Sequence, residues 1–256
     1  MNTKKKAVLI VLAVLPLLLF SFIFSCGGGG DDDKNECQEG IPIPEVDPND
    51  MAIVSVPQYD DEWWTDRHND KIKNVKTNQK IIFIGNSITH WWENETSWTE
   101  LNQRYNNKIT NLGYAGDQTQ HVIWRLENGE FPKGINAEYV VVKIGTNNAW
   151  SAPESTAAGI GKIIEIINKN SSSSKIILVS ILPRGSGNDD EHTKRNNAVN
   201  EIIKNYDGCS RIQYLNLAQY YINNNGKLKS ELFTDGLHLS PAGYKIWKEK
   251  LMEIIK

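Results

Sequence analysis

Ser87 follows directly on Ile81-Ile82-Phe83-Ile84-Gly85-Asn86, where an apolar, β-branched run that reads as a buried strand ends in a polar pair. A hydroxyl at the carboxyl end of such a strand lies where open α/β sheets bind their ligands. Asn86 and Ser87 are also good N-caps, so this stretch alone leaves Ser87 between a helix start and a nucleophile. Three more polar blocks shift the balance toward chemistry: Gly113-Tyr114-Ala115-Gly116-Asp117, Gly145-Thr146-Asn147-Asn148, and Asp235-Gly236-Leu237-His238. A hydroxyl, a flexible Gly, a side-chain amide and an Asp/His pair are the parts that acyl transfer needs. A serine hydroxyl is a weak nucleophile and requires a base. His238 can take its proton, and Asp235 can hold the imidazole tautomer and stabilise the imidazolium. The oxyanion needs fixed donors, which the Ser87 and Gly116 backbone N–H groups and the Asn147 amide can supply.

The elements that would position these groups alternate along the chain. Strand candidates fall at Ile81–Ile84, Ile109–Leu112, Tyr139–Ile144, Lys175–Ile181 and Ile212–Leu217. Helix candidates lie at Glu62–Lys76, Ser97–Tyr105, Gln118–Glu127, Glu154–Asn168, Glu191–Asn205 and Pro241–Ile255. Strands separated by helices predict βαβ units and a parallel sheet, which brings the polar blocks to one edge. The last helix has Ser240 as N-cap and Pro241 at its first position, with Tyr244, Trp247, Leu251 and Ile254 on one face. Asp189-x-x-His192 repeats the Asp/His spacing but reads as a solvated loop. His90 reads as a helix-start surface residue and His121 as structural. The nucleophile elbow Gly-x-Ser-x-Gly is absent, as are dinucleotide and Walker glycine loops.

The four blocks resemble, in order and content, the SGNH (GDSL-type) hydrolases. Within that family the chain resembles esterases of the platelet-activating factor acetylhydrolase catalytic-subunit type. Asn111-Leu112-Gly113-Tyr114-Ala115-Gly116-Asp117-Gln118-Thr119, Trp124-Arg125-Leu126-Glu127-Asn128-Gly129-Glu130, Leu182-Pro183-Arg184-Gly185 and Asn196-Asn197-Ala198-Val199-Asn200 carry that likeness. The resemblance spans about residues 62–256. It implies a flavodoxin-like three-layer α/β/α sandwich on a five-stranded parallel sheet. It also implies carboxylester hydrolysis without metal or cofactor, with Ser87 as nucleophile, Asp235 and His238 as its triad partners, and Gly116 and Asn147 in the oxyanion hole. Asn86 stands where the family usually has Asp, which removes a charge beside the nucleophile but no triad member. Related catalytic subunits dimerise, so a homodimer is a further implication, although nothing in the chain marks an interface.

The 256 residues suffice for one sizeable core with extensions. A formal net charge of -3 without a Lys/Arg stripe argues against nucleic acid as partner. No metal-type Cys/His spacing appears. Residues 1–25 read as a lipoprotein signal peptide: Lys4-Lys5-Lys6 precede an apolar run that ends in Ile23-Phe24-Ser25-Cys26. Cys26 is the expected lipidation site and membrane anchor, and an uncleaved anchor helix is the alternative. The Gly and Asp runs that follow resemble surface-export signals of Bacteroidetes lipoproteins, so the expected location is the cell envelope, at the outer membrane, facing the surface or the periplasm. Residues 26–58, with Pro42, Pro44 and Pro48, read as a flexible tether, and 59–256 as the hydrolase domain. Cys37 and Cys209 remain as a pair that an oxidising compartment could join.

The neighbours of the catalytic candidates, Ile88, Thr146 and Leu237, are natural walls of a short acyl pocket. Trp91, Trp92 and Trp150 could form the leaving-group side, where aromatic faces suit a sugar. The leading expectation is an esterase removing acetyl or other short acyl groups from carbohydrate. A phospholipid or lysophospholipid acylhydrolase is the alternative within enzymes, and a non-catalytic glycan-binding lipoprotein the alternative outside them.

Overall fold

The computed structural model describes residues 40–58, 62–75 and 77–255. The signal sequence, Cys26 and Cys37 lie outside the described residues. Five strands form one parallel sheet: β1 (Asn78–Gly85), β2 (Ile109–Gly113), β3 (Asn136–Lys143), β4 (Lys175–Val179) and β5 (Ile212–Leu215), in the order β2-β1-β3-β4-β5. Apolar runs become central strands here because both faces are covered. Ile82, Ile84, Val140, Val142, Ile176 and Leu178 enter one core, while Ile81, Phe83, Tyr139, Val141, Ile177 and Val179 enter the other.

Helices supply the two outer layers. α1 (Glu62–Lys73) precedes the sheet. Against the second core pack α2 (Ser87–Trp92), α3 (Thr96–Arg104) and α7 (Pro241–Met252), through Ile88, Trp92, Trp98, Leu101, Tyr244, Trp247 and Leu251. Against the first core pack α4 (Thr119–Arg125), α5 (Pro153–Asn170) and α6 (Glu191–Ile203), through Val122, Ile123, Ile160, Ile163, Ile164, Ile167, Val199 and Ile203. A π turn, Leu126–Glu130, extends α4. The chain leaves β1 for β2 on one side and must cross to β3 on the other. That reversal opens the crevice between the ends of β1 and β3 where ligands bind in such sheets. Ser87 follows one of these strands and Asn147 the other.

Gly85 is where the layers come closest. A β-carbon there would lie 2.2 Å from Thr89 Oγ1 and 2.5 Å from the Lys143 carbonyl oxygen. α2 can seat on the sheet only because this position has no side chain. Gly85→Ala is therefore expected to lower stability by about 1–3 kcal/mol or more, read as a lower urea midpoint at unchanged slope.

Part of the segment expected to be tether is instead packed on the body. Residues 40–58 cross α5, where Ile43 fills the space beside Gly161 and the Ala52 carbonyl approaches Gly159. Ser155 Oγ donates to Asp50 Oδ2 (2.5 Å), Thr119 Oγ1 to the Ala52 carbonyl (2.7 Å) and Lys162 Nζ to the Ile53 carbonyl (2.8 Å). Small residues on the helix let the strap's backbone in, and polar side chains satisfy its carbonyls. Cys209 is buried and disulfide-bonded.

Candidate active site

Asn86 caps α2: its side-chain oxygen accepts from the Ile88 N–H at 3.1 Å. Ser87 is therefore the first residue of the helix, one residue beyond the end of β1 and its cap, and its side chain is buried. Ser87 Oγ lies 3.1 Å from His238 Nε2, and His238 Nδ1 lies 2.7 Å from Asp235 Oδ2. The other oxygen, Asp235 Oδ1, accepts the backbone N–H groups of Leu237 (2.9 Å) and His238 (2.7 Å). This turn fixes the carboxylate before it meets the ring. Burial raises the Asp235 pKa, but the imidazole and the two backbone donors outweigh it and hold the carboxyl down at about 2.

The blocks after β2 and β3 are joined to each other by two hydrogen bonds. Asn147 Nδ2 donates to the Asp117 carbonyl at 2.9 Å, and Gln118 Nε2 donates to the Asn147 carbonyl at 2.9 Å. An amide nitrogen has two hydrogens, so Asn147 keeps one for another acceptor. Gly116 adopts φ +80°, a left-handed conformation that favours glycine. His90 Nδ1 accepts the Ala115 N–H (3.3 Å) and His121 Nδ1 accepts the Gln118 N–H (3.1 Å). Burial, with Arg67 beside His90 and Arg125 beside His121, pushes both pKa values down to about 4. Both rings are thus neutral acceptors that brace the Gly116 loop. His90 is not the exposed helix-start residue the sequence suggests: only 17% of its side chain is accessible.

Beneath this loop lies a buried polar cluster that sequence reasoning did not assemble. Arg125 Nε donates to Asp117 Oδ2 at 2.8 Å and its Nη1 to Glu130; Trp64 Nε1 donates to Asp117 Oδ1 at 2.8 Å. His68 Nδ1 lies 2.8 Å from Glu130 Oε1, and the Tyr114 hydroxyl also donates to Glu130. Burial raises the Asp117 carboxyl to about 6 against the pull of Arg125. Burial also acts on Glu130, but there Arg125, His68 and Tyr114 prevail and its pKa is lowered. The only sequence signal was a charged Arg125 inside an apolar helix face. Gln58, at the end of the strap, is a second missed residue. Its Nε2 lies 2.6 Å from where a β-carbon on Gly116 would sit.

The pocket residues divide. Thr146 is buried, with Oγ1 accepting from Asn196 Nδ2 at 3.3 Å, and Leu237 is half-buried in the Asp235–His238 turn. Trp91 is 40% exposed and its ring centroid lies 4.2 Å from that of His238. Trp150 is 94% exposed. Two expectations are corrected. Trp92 does not border the site: its ring is buried, stacks on Trp247 at 4.4 Å and donates Nε1–H to Ser97 Oγ at 2.8 Å. Ile88 is likewise buried, its side chain packed in the core under α2. Adjacent residues on a six-residue helix cannot share one face, so Trp91 turns to the site and Trp92 to the sheet. The Asp189/His192 pair is a helix start and not a second site: Asp190 caps α6 and Asp189 pairs with Lys227.

The model of a family described as GDSL-like Lipase/Acylhydrolase matches residues 83–246. The alpha2 subunit of platelet-activating factor acetylhydrolase IB from Rattus norvegicus is 31% identical over 213 residues, covering 82% of this chain and 91% of that protein. The alpha1 subunit from Bos taurus is 29% identical, covering 83% of this chain and 85% of that protein. Among solved structures, a GDSL-like lipase from Bacteroides thetaiotaomicron shares the fold with a TM-score of 0.62 at 20% identity, over 76% of this chain and 96% of that one. An acetyl xylan esterase does so with a TM-score of 0.56 at 20% identity, over 69% of this chain and 99% of that one.

Proposed function

Since this chain belongs to the GDSL-like lipase/acylhydrolase family and is a carboxylic ester hydrolase, we propose that it removes acetyl or other short acyl groups from carbohydrate through a Ser87–His238–Asp235 triad and an acyl-enzyme. The observation that carries the mechanism is the continuous contact from Ser87 Oγ through His238 to Asp235. Ser87 Oγ attacks the ester carbonyl while its proton passes to His238 Nε2. The tetrahedral oxyanion takes hydrogen bonds from the Ser87 and Gly116 N–H groups and the remaining Asn147 hydrogen. His238 then returns the proton to the leaving alcohol, and an acyl-serine forms. Water attacks that ester by the same route in reverse.

Two features support a short acyl group on a sugar. Thr146 and Leu237 adjoin Asn147 and His238 in the chain, and medium-sized side chains there would keep an acyl pocket short. Trp91 and Trp150 offer exposed aromatic surface, which suits the apolar faces of a sugar ring. A lipid anchor at Cys26 would carry the enzyme to the envelope, where glycans are met. The relatives named for platelet-activating factor favour a second reading, a short-chain ester of a phospholipid. Initial rates on p-nitrophenyl esters from acetate to decanoate, beside acetylated xylo-oligosaccharides and an acetylated ether phospholipid, separate the two. We expect activity to fall steeply beyond butyrate and the acetylated sugar to be the better natural-type substrate. Preference for decanoate, or for the phospholipid, would sink the carbohydrate reading.

A further inference from the structure

The Trp91 ring packs against His238 at a tilt of 45°, for a reason that the substrate does not supply. Ser87 and Trp91 lie four positions apart on α2, so both project from the same side of the helix. The His238 ring enters between them, with Nε2 3.1 Å from Ser87 Oγ and its centroid 4.2 Å from the indole centroid. The helix is held rigidly. Asn86 caps its start, and next to Trp91 the buried Trp92 stacks on Trp247 and is hydrogen-bonded to Ser97. Trp91 is therefore placed by the core beneath it, although 40% of it is exposed.

When Ser87 loses its proton, His238 becomes an imidazolium. Asp235 is its counter-charge, but 55% of the Asp235 side chain is open to solvent, against 17% for His238. Water screens a carboxylate in that position, and its attraction for the new cation is weakened. An indole face within about 6 Å of a cation attracts it through the ring quadrupole, with an effect that grows as water is excluded. Trp91 excludes water from the side of the ring it covers.

We propose that Trp91 is a positioning residue of the general base: its indole stabilises the His238 imidazolium formed as Ser87 attacks, and holds the ring against Ser87. This rests on the triad reading above and adds a role to the substrate-facing one given to Trp91 there. The proton balance is unchanged: Ser87 Oγ gives it to Nε2, and Nε2 gives it to the leaving alkoxide.

The test uses p-nitrophenyl acetate, whose small leaving group has no sugar face to stack. Trp91→Leu is expected to lower kcat about 5- to 30-fold with KM within about twofold. Trp91→Phe, which keeps an aromatic face, should recover most of the loss. Replacing the tryptophans of the whole protein with mono-, di- and trifluorotryptophan should lower log kcat progressively, because fluorine drains the ring quadrupole. The same fluorination in the Trp91→Leu protein should leave kcat flat. Three results would overturn the proposal. One is an effect confined to KM on acetylated sugars, which makes Trp91 a substrate platform only. Another is equal loss in the Leu and Phe variants. The last is a fluorine effect that persists without Trp91. Failure of the triad reading would show separately, as full activity in Ser87→Ala.

Discussion

Ser87→Ala is expected to lower kcat on p-nitrophenyl acetate by about a millionfold, and Asp235→Asn by about ten-thousandfold, with the melting temperature of each nearly unchanged. The second effect follows from how Asp235 is tied down. Its Oδ1 accepts two backbone N–H groups and its Oδ2 faces His238 Nδ1. An asparagine must leave its oxygen on the two backbone donors, because an NH2 there would meet two N–H groups head-on. Its NH2 then faces Nδ1 and turns that nitrogen into an acceptor. The ring proton moves to Nε2, which points at Ser87 and can no longer take the hydroxyl proton. The change would be isosteric yet would place the base in the wrong tautomer. Because the Asp235 carboxyl is held down at about 2, it stays ionised through the working range, and an acid limb of the pH–rate profile above about pH 3 does not come from it. The double variant should be no worse than Ser87→Ala, since the groups act as one unit. Steady-state rates with active-site titration check both. Retention of more than about a hundredth of the activity in Asp235→Asn would remove Asp235 from the mechanism.

The strands were legible because a strand covered on both faces needs an unbroken apolar run, as Ile81–Ile84 and Tyr139–Val142 provide. The reactive blocks were legible for a related reason. A polar block that interrupts such a run marks a strand end, and strand ends in a parallel sheet share one edge. Helix α2 was harder. Six residues give no periodicity to read, and Trp91-Trp92 looks like one aromatic patch until the helix sends them to opposite sides. The strap at 40–58 carried prolines and no repeat, the usual marks of a tether. Its anchors are the helix glycines Gly159 and Gly161 and polar side chains distant in sequence, which no local pattern reveals. The Asp117–Arg125–Glu130–His68 cluster draws its members from three elements, so only the fold brings them together.

Lys143 is the one charge in Val140-Val141-Val142-Lys143-Ile144, and its burial has a large expected effect on stability. It is the last residue of β3, shares a face with Tyr139 and Val141, and is 1% exposed. Its Nζ lies 5.7 Å from the Trp247 ring centroid, and burial alone pulls its pKa from 10.5 down to about 7. Between these values the unfolded chain holds a proton that the folded protein rejects. Stability must then rise with pH from about 7 to about 10.5, and below pH 7 the full penalty applies. A shift of that size corresponds to an upper bound of about 5 kcal/mol. Lys143→Met keeps the length and removes the charge. At pH 7 it is expected to raise stability by about 3–5 kcal/mol, or roughly 10 °C in Tm for a domain of this size. At pH 9.5 the gain should shrink to about 1 kcal/mol, because the wild-type amine is then neutral in the fold and only partly released by the unfolded chain. Urea unfolding of both proteins at the two pH values reads this directly. The difference between the two proteins matters more than the wild-type slope, since Lys71 is also depressed by burial and adds a slope of its own. A gain that did not change with pH would mean that Lys143 keeps its proton in the folded state, and that methionine stabilises by packing against Trp247 alone.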